Sequence, residues 1–325
     1  MSSKQGASIH VSEQDKQESS PALSAIVVIP DTYDTVRRTI RYLQAQTVVK
    51  RMELVFVLPS RQQVSLDESE LACFHSWQVV EVGRIPSIAR GFVAGIRKAH
   101  APIIALTEDH SFPDSRWAEL FIAAHRSHWA VVGPTMRNGN PDSIISWADF
   151  YQAYGEWTQP RLSGLVRHLP GHNSSYKRDI LLAYGDGLED LMEAESVLHR
   201  DLEAKGYELM LEAGTCTSHL NFSSWSSWFF VRYYAGRQFA ATWSRNWQWY
   251  RRLLFTVASP LIPCIRLWRI VKQVYRGRSF GFVVRLLPVL IPGLIVEGAG
   301  HMVSYALGAG NSCEKLSQYE FHRER

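Results

Sequence analysis

From Ala213 to Val296 the chain has no aspartate and no glutamate. The same stretch holds eleven basic residues, Arg232, Arg237, Arg245, Arg251, Arg252, Arg266, Arg269, Lys272, Arg276, Arg278 and Arg285, and six of the eleven tryptophans. The net charge of +4 for 325 residues conceals this asymmetry. Cysteine is scarce: Cys73, Cys216, Cys264 and Cys313 show no CxxC pairing, which argues against a structural zinc site or a disulfide framework and suits a reducing compartment. The segment VVIPDTYD has no glycine, and GxxxxGK[ST] is absent, so neither a P-loop nor the Gly-rich signature of a nucleotidyltransferase is present. No low-complexity basic tract points to nucleus or ribosome. The start, MSSKQGASIHVSEQDKQESS, has no apolar h-region; it does not read as a secretory signal, and residues 1–22 are expected to be a disordered tail.

What is present reads as α/β. SAIVVIP (24–30), ELVFVLP (53–59), WQVVEVG (77–83), PIIAL (102–106) and AVVG (130–133) are apolar runs without alternation. Strands of that kind, separated by helices, predict a mostly parallel sheet covered on both faces. Val36, Ile40 and Leu43 mark one helix, and PSIARGFVAGIRKA (86–99) another. GLEDLMEAESVLHRDLEAKGY (187–207) reads as a single helix closed by Gly206. Ligands in such sheets bind beyond the carboxyl ends of the strands, where TEDHSFPD (107–114) lies.

Glu108, Asp109 and His110 are therefore candidate ligands for a divalent cation, Mg²⁺ preferring oxygen and Mn²⁺ tolerating imidazole. The alternative is a helix cap at Asp109 or Ser111 beside a solvated His110. Glu195 falls within a stripe of Leu188, Leu191, Leu198 and Leu202. A carboxylate there needs a partner, a ligand or a cavity. A general base and a structural ion pair both satisfy that need. His219 and His172 are further candidates. His125 and His128 have metal-compatible spacing but no adjoining carboxylate motif, and solvated histidines are expected.

Beyond Asn221 the sequence mixes aromatics with arginines. Two apolar blocks follow, 253–265 and 286–309. The first is too short to span a bilayer, which takes roughly 20 residues. The second is long enough but holds Pro288, Pro292, Glu297 and His301. Interfacial or re-entrant helices on an anionic membrane surface fit this pattern, as do buried helices of a soluble subdomain. The apolar blocks interrupt the basic tract, so nucleic acid is not expected as a partner.

Taken together, the region from about Ser24 to Asn221 resembles family 2 glycosyltransferases of GT-A fold. SAIVVIPDTYD looks like their first strand and nucleotide-contacting loop. IPSIARGFVAGIRKAHAPIIALTEDHSFPDSRW is similar to their Ala-Arg-Asn, Gly, strand, Asp-x-Asp, Pro and Trp block. Glu108 and His110 then fall on the two acidic positions of Asp-x-Asp. PGHNSSYKRD resembles a segment with an Asn and a basic pair, EAESVLHRDLEAKGY the helix of the catalytic Glu-Asp pair, and CTSHLNF the later phosphate- or metal-binding His. The C-terminal half, including EFHRER, resembles a membrane-associated extension of a bacterial branch. Two departures stand out. Leu58, Pro59 and Ser60 replace the base-contacting acids, and Gly91 replaces the Asn of Ala-Arg-Asn.

The resemblance implies a GT-A domain over 23–222, a helical membrane-associated region over 223–312 and a tail over 313–325. It implies an inverting transfer from a nucleotide-sugar donor to a hydroxyl acceptor, a lipid-linked or membrane-proximal glycan, on the cytoplasmic face of the inner membrane, within polysaccharide biosynthesis. Glu195 would be the base. Pro30, Thr32, Tyr33, Arg90, Glu108 and Asp109 would bind the donor. His110, Glu108 and His219 would hold Mn²⁺ or Mg²⁺, and Trp147, Trp157, His172 and Asn173 would shape the acceptor side. Two other readings stay open: a non-catalytic scaffold of the same fold, motivated by Ala194 and the missing acids, and a nucleotidyltransferase.

Overall fold

The computed structural model describes residues 20–159 and 161–321. Residues 1–19 of the expected tail, and HRER of the EFHRER ending, lie outside the described residues.

The apolar runs form strands β1 (Leu23–Val28), β2 (Met52–Leu58), β3 (Ser76–Glu81) and β4 (Ile103–Thr107), paired in parallel in the order β3-β2-β1-β4. Every residue of β1, β2 and β4 is buried, because both faces of this half-sheet are covered. Strand alternation divides the side chains between two cores. Leu23, Ala25 and Val27 face Val36, Ile40 and Leu43 of helix α1 (Tyr33–Gln44). Ile26 and Val28 face Phe92, Val93 and Ile96 of α2 (Ile88–Lys98), whose N-terminus is capped by the Ser87 hydroxyl accepting from Arg90 N at 3.2 Å.

The second half of the sheet is built differently. β5 (Ser111–Pro113), α3 (Trp117–Ala124), β6 (Val131–Asn138), α4 (Ile144–Ala153), β7 (Gly164–Val166) and β8 (Ser175–Lys177) follow in order. Then come α5 (Arg178–Leu182), α6 (Gly187–Met192), α7 (Glu195–Ala204) and β9 (Leu209–His219). β8 enters between β4 and β6, antiparallel to both, and β9 runs parallel to β6 with β5 and β7 antiparallel to it. The sheet is thus a parallel half joined to a mixed half. The join is narrow: β8 offers three register pairs to β4 and two to β6.

Three local expectations change. The stretch 187–207 is two helices, broken where Ala194 takes φ −150° and ψ 91°. Glu195 therefore opens α7, and the single stripe through Leu188 and Leu202 does not exist. SFP inside TEDHSFPD is a strand, and the next helix has Arg116 at its N-cap position, so neither Asp109 nor Ser111 caps it. His125 is buried, with Nε2 2.9 Å from the Ser175 hydroxyl; burial pushes its pKa down to about 4.

Five helices complete the described residues: α8 (Trp225–Trp243), α9 (Trp249–Ala258), α10 (Ile262–Tyr275), α11 (Phe280–Leu307) and α12 (Ser312–Phe321). They share a core with the sheet, through Trp228, Val231, Leu286, Leu290 and Leu294. Asp149 on α4 anchors them. Its buried carboxylate accepts from Trp228 Nε1 and Phe222 N, both at 3.1 Å, and pairs with Arg232 at 3.2 Å. α11 lies so close to α8 that a Cβ on Gly300 would stand 2.2 Å from the Tyr233 carbonyl oxygen.

Among the described residues two segments are long and apolar enough to cross a membrane by length and composition, Phe280–Leu307 and Trp249–Tyr275. The second differs from expectation. A short 3-10 turn, Ser259–Leu261, continues the apolar block into one 27-residue run. Its side chains are largely exposed, Trp249, Val257 and Trp268 by 65–73%.

Candidate metal centre and catalytic cleft

The TEDH turn follows β4, and Thr39 of α1 pins it by donating its hydroxyl to Glu108 O at 3.1 Å. The β5–β9 pairing then sets Ser111 opposite His219, and Leu220 N donates to His110 O at 3.0 Å. Two histidines more than a hundred residues apart thus become neighbours, ring centroids 4.7 Å apart at 79°.

Glu108, His110 and His219 each offer a ligand atom, all within 4.8 Å of one another, and all three residues are buried. His110 Nδ1 lies 2.6 Å from Asp109 Oδ1, and His219 Nδ1 lies 3.0 Å from Asn221 Oδ1. Both oxygens accept from Nδ1–H, which leaves each Nε2 lone pair facing Glu108. A ligating imidazole characteristically donates its other N–H to a carboxylate or carbonyl in this way. His110 Nε2 is buried and makes no hydrogen bond, and it stands 3.6 Å from Glu108 Oε1. His219 Nε2 lies 3.5 Å from Glu108 Oε2 and 3.1 Å from the Tyr154 hydroxyl. One carboxylate and two imidazoles suit a divalent ion that tolerates nitrogen, Mn²⁺ ahead of Mg²⁺.

Glu108 is held from the other side by Asn173 Nδ2 at 2.9 Å and by His172 Nδ1 at 3.2 Å. Burial alone would push its pKa up; when the surrounding imidazoles carry the extra proton instead of an ion, the charge of His110 and the N–H groups of His172 and His219 outweigh burial and hold it well below the usual carboxylate range. Nε2 of the same His172 meets the Glu195 carboxylate. Burial opposes charge on this imidazole, but Glu195 and Glu108 together push its pKa well above the ordinary value. His172 therefore bridges the metal-competent carboxylate and Glu195. Gly171 makes the approach possible, since a Cβ there would stand 2.3 Å from the Glu195 Cβ. One turn along α7, His199 accepts from Leu169 N at 3.3 Å and lies 2.9 Å from the Tyr176 hydroxyl, which donates to Gly171 O.

Beside these groups lies a cavity of about 140 Å³ lined by Glu108, His172, His219 and Tyr154; Glu195 does not line it and adjoins it through His172. Cys313, Leu316, Ser317 and Glu320 of α12 form one wall. Arg84 pairs with Glu314 at 2.5 Å and Cys313 Sγ donates to Glu193 at 3.2 Å, fastening that wall to the sheet domain.

The other expected site residues are placed as follows. Thr32 is the N-cap position of α1, after the Pro30 turn. Tyr33 is buried, and its hydroxyl donates to Glu70 at 2.9 Å. Arg90 points to Glu189 at 3.6 Å and does not line the cavity. Asp109 orients His110. Asn173 holds Glu108. Trp147 and Trp157 line a separate, larger cavity on the far side of α4. Tyr154, Asn221 and Asn138, whose Oδ1 accepts from Asn221 Nδ2 at 3.0 Å, were not singled out by sequence.

A comparison with protein-family models gives no match, and a comparison with curated proteins gives none. Solved structures do match. A mannosyltransferase from Pyrobaculum calidifontis, PcManGT, in complex with GDP-Man and Mn²⁺, superposes with a TM-score of 0.52 at 13% identity, over 87% of each chain. The fold is GT-A-like. Looser matches are GalNAc-T7 with UDP, GalNAc and Mn²⁺ (TM-score 0.47, 13% identity, 62% of this chain and 44% of that) and S. aureus TarS 1-349 with UDP (0.45, 14%, 88% and 91%).

Proposed function

We propose that the protein is a metal-dependent, inverting nucleotide-sugar glycosyltransferase acting on a membrane-proximal hydroxyl acceptor. The observation that carries this reading is the convergence of Glu108, His110 and His219 beyond the parallel strands, with Glu195 on the opposite side of His172. The shared fold supports it, and so does the PcManGT complex, whose donor class and ion are the first to test here.

Glu108 and the Nε2 atoms of His110 and His219 would hold the ion. When bound, it would supply Lewis-acid stabilisation of the departing diphosphate. Asp109 and Asn221 fix the two imidazoles. Glu195 takes the proton of the acceptor hydroxyl as that oxygen bonds to the anomeric carbon. The anomeric carbon–oxygen bond to the diphosphate breaks on the opposite face, which inverts the configuration. His172, charged between two carboxylates, keeps Glu195 oriented. At about 140 Å³ the cavity accommodates the reacting atoms; a whole nucleotide sugar needs the roughly 300–1,000 Å³ of ordinary ligand sites and must extend beyond it.

The exposed face of Trp249–Tyr275, with Leu253, Leu254, Val257, Ile265 and Trp268 beside Arg251, Arg252, Arg269 and Lys272, fits the headgroup region of an anionic bilayer. The reading places the enzyme on the cytoplasmic leaflet, with the glycosyltransferase domain over 23–222 and α12 returning to close one wall of its cavity.

A thermal-shift panel of nucleotide sugars with and without Mn²⁺, on wild type and His110→Ala, tests the site. Stabilisation by the best donor with Mn²⁺ should vanish in the variant; an unchanged shift sinks the assignment. Donor hydrolysis by wild type and Glu195→Gln separates an enzyme from a scaffold: no metal-dependent turnover with any donor favours the scaffold.

A further inference from the structure

The larger of the two cavities described does not contain the metal-competent group. It measures about 650 Å³, and it lies between the end of β6, helix α4, residues 155–168 and the end of α10. Five arginines line it, Arg137, Arg161, Arg167, Arg276 and Arg278, against a single carboxylate among the described lining residues, Glu156. That carboxylate is already matched by His168. Arg137 is taken by Asp114 at 3.0 Å and Arg167 by Glu203 at 3.5 Å. Among the described residues no carboxylate pairs with Arg276 or Arg278. Arg278 is nonetheless fixed in place: its guanidinium sits 4.3 Å over the Trp147 ring, which leaves its N–H edges available.

A cavity of ligand size with unpaired arginines calls for an anion of matching geometry, and phosphate is the group a guanidinium binds with two parallel bonds. The surroundings say what the phosphate belongs to. Arg276 and Arg278 directly follow α10, whose Ile265, Trp268 and Tyr275 recur at helical spacing and are each at least half exposed. The cationic wall of the cavity is thus the end of an exposed apolar helix. We infer that the cavity binds the phosphate of an amphiphilic acceptor, the phosphate meeting Arg276 and Arg278 and the hydrocarbon chain lying along the apolar face of α10. This deepens the glycosyltransferase reading and rests on it for the word acceptor. Trp157, on the same cavity wall, packs against Tyr154, whose hydroxyl reaches His219, so the cavity adjoins the reacting centre.

The test uses the full chain and tryptophan fluorescence. Decyl phosphate is titrated against decyl glucoside, a neutral amphiphile of equal chain length, and against inorganic phosphate. Wild type should bind decyl phosphate about tenfold or more tighter than either control, the least that one charge-assisted hydrogen bond contributes. Arg276→Gln with Arg278→Gln should bring decyl phosphate down to the decyl glucoside level, while Lys50→Gln with Arg51→Gln, an equal charge loss elsewhere, should not. Unchanged binding in the first double variant overturns the inference. Inorganic phosphate binding as tightly as decyl phosphate also overturns it, in favour of a soluble phosphate ligand. An intact Mn²⁺ thermal shift in each variant shows that the fold survives. Absence of that shift in wild type would count against the metal-centre reading and leave the phosphate cavity standing.

Discussion

Lowering the pH from 7 to 5 should destabilise the protein through His199 by an amount the structure sets. His199 is buried on α7, one turn after Glu195. Its Nδ1 accepts from Leu169 N, so the ring must be neutral with the proton on Nε2, directed at the Tyr176 hydroxyl. A second proton would face the Leu169 N–H. Burial, helped by the nearby His168, pushes the pKa down from 6.5 to about 3. The unfolded chain takes up the proton below 6.5 and the folded chain does not until about 3. Stability is therefore complete above 6.5 and falls as pH drops from 6.5 towards 3, by about 1.4 kcal/mol per unit. Between pH 7 and 5 the loss is about 2 kcal/mol, because titration of the unfolded chain is only beginning at 7. Urea unfolding followed by tryptophan fluorescence at both pH values, on wild type and His199→Gln, reads this directly. The variant should lose about 2 kcal/mol less than wild type over that interval, at unchanged m-value. Equal losses in the two proteins would refute the neutral, buried imidazole. Because α7 begins with Glu195 and His199 steadies Tyr176 and Gly171, the same acid step should lower activity before the whole chain unfolds.

Three further outcomes follow from the site and its support. Asp109→Asn should weaken Mn²⁺ affinity by about 10–100-fold, the usual effect of losing the partner of a ligating histidine, and calorimetric titration of the ion measures it. Gly171→Ala should displace the Glu195 carboxylate, lowering turnover while leaving the Mn²⁺-dependent thermal shift in place; unchanged turnover would mean that Glu195 is not the base. Asp149→Ala strands a buried Arg232 and should cost about 3–5 kcal/mol in urea unfolding, which would show that α8 is anchored through this carboxylate.

The strands were legible because continuous apolar runs such as SAIVVIP and ELVFVLP leave little else to build, and their parallel order places TEDH at a strand end. The partnership of His110 with His219 was not legible as geometry. It depends on the three-residue strand SFP pairing with the end of β9, a contact too short and too distant in sequence to leave a periodic signal. The division of labour between Glu108 and Asp109 was hidden for the same reason. It is decided by which oxygen faces Nδ1 of the neighbouring ring. The break before Glu195 carries no Gly or Pro, so the sequence reads through it as one helix. Tyr33 and Arg90, which the resemblance implies bind the donor, have their polar ends engaged by Glu70 and Glu189. The exposed run Trp249–Tyr275 was read only as its apolar centre, 253–265, because Arg251, Arg252, Arg266 and Arg269 bound that block; the helical run continues past them, and Pro260 and Pro263 inside it sit at helix starts, where a missing N–H costs nothing.

The narrow β8 joins the two halves of the sheet as a spine joins the leaves of an open book. One leaf is β3-β2-β1-β4, the other β6, β9, β5 and β7, and a three-residue strand is the spine. Glu108 belongs to the first leaf and His219 to the second, so any ion gripped between them is a clasp across the pages. Clasping ties together chain segments 111 residues apart, and the loop-closure entropy of such a tie is of the order of a disulfide's, about 4–5 kcal/mol. Affinity at the clasp and cohesion at the spine are then one quantity measured in two places. Adding the ion should slow amide exchange in Ser175–Lys177, which the ion never touches.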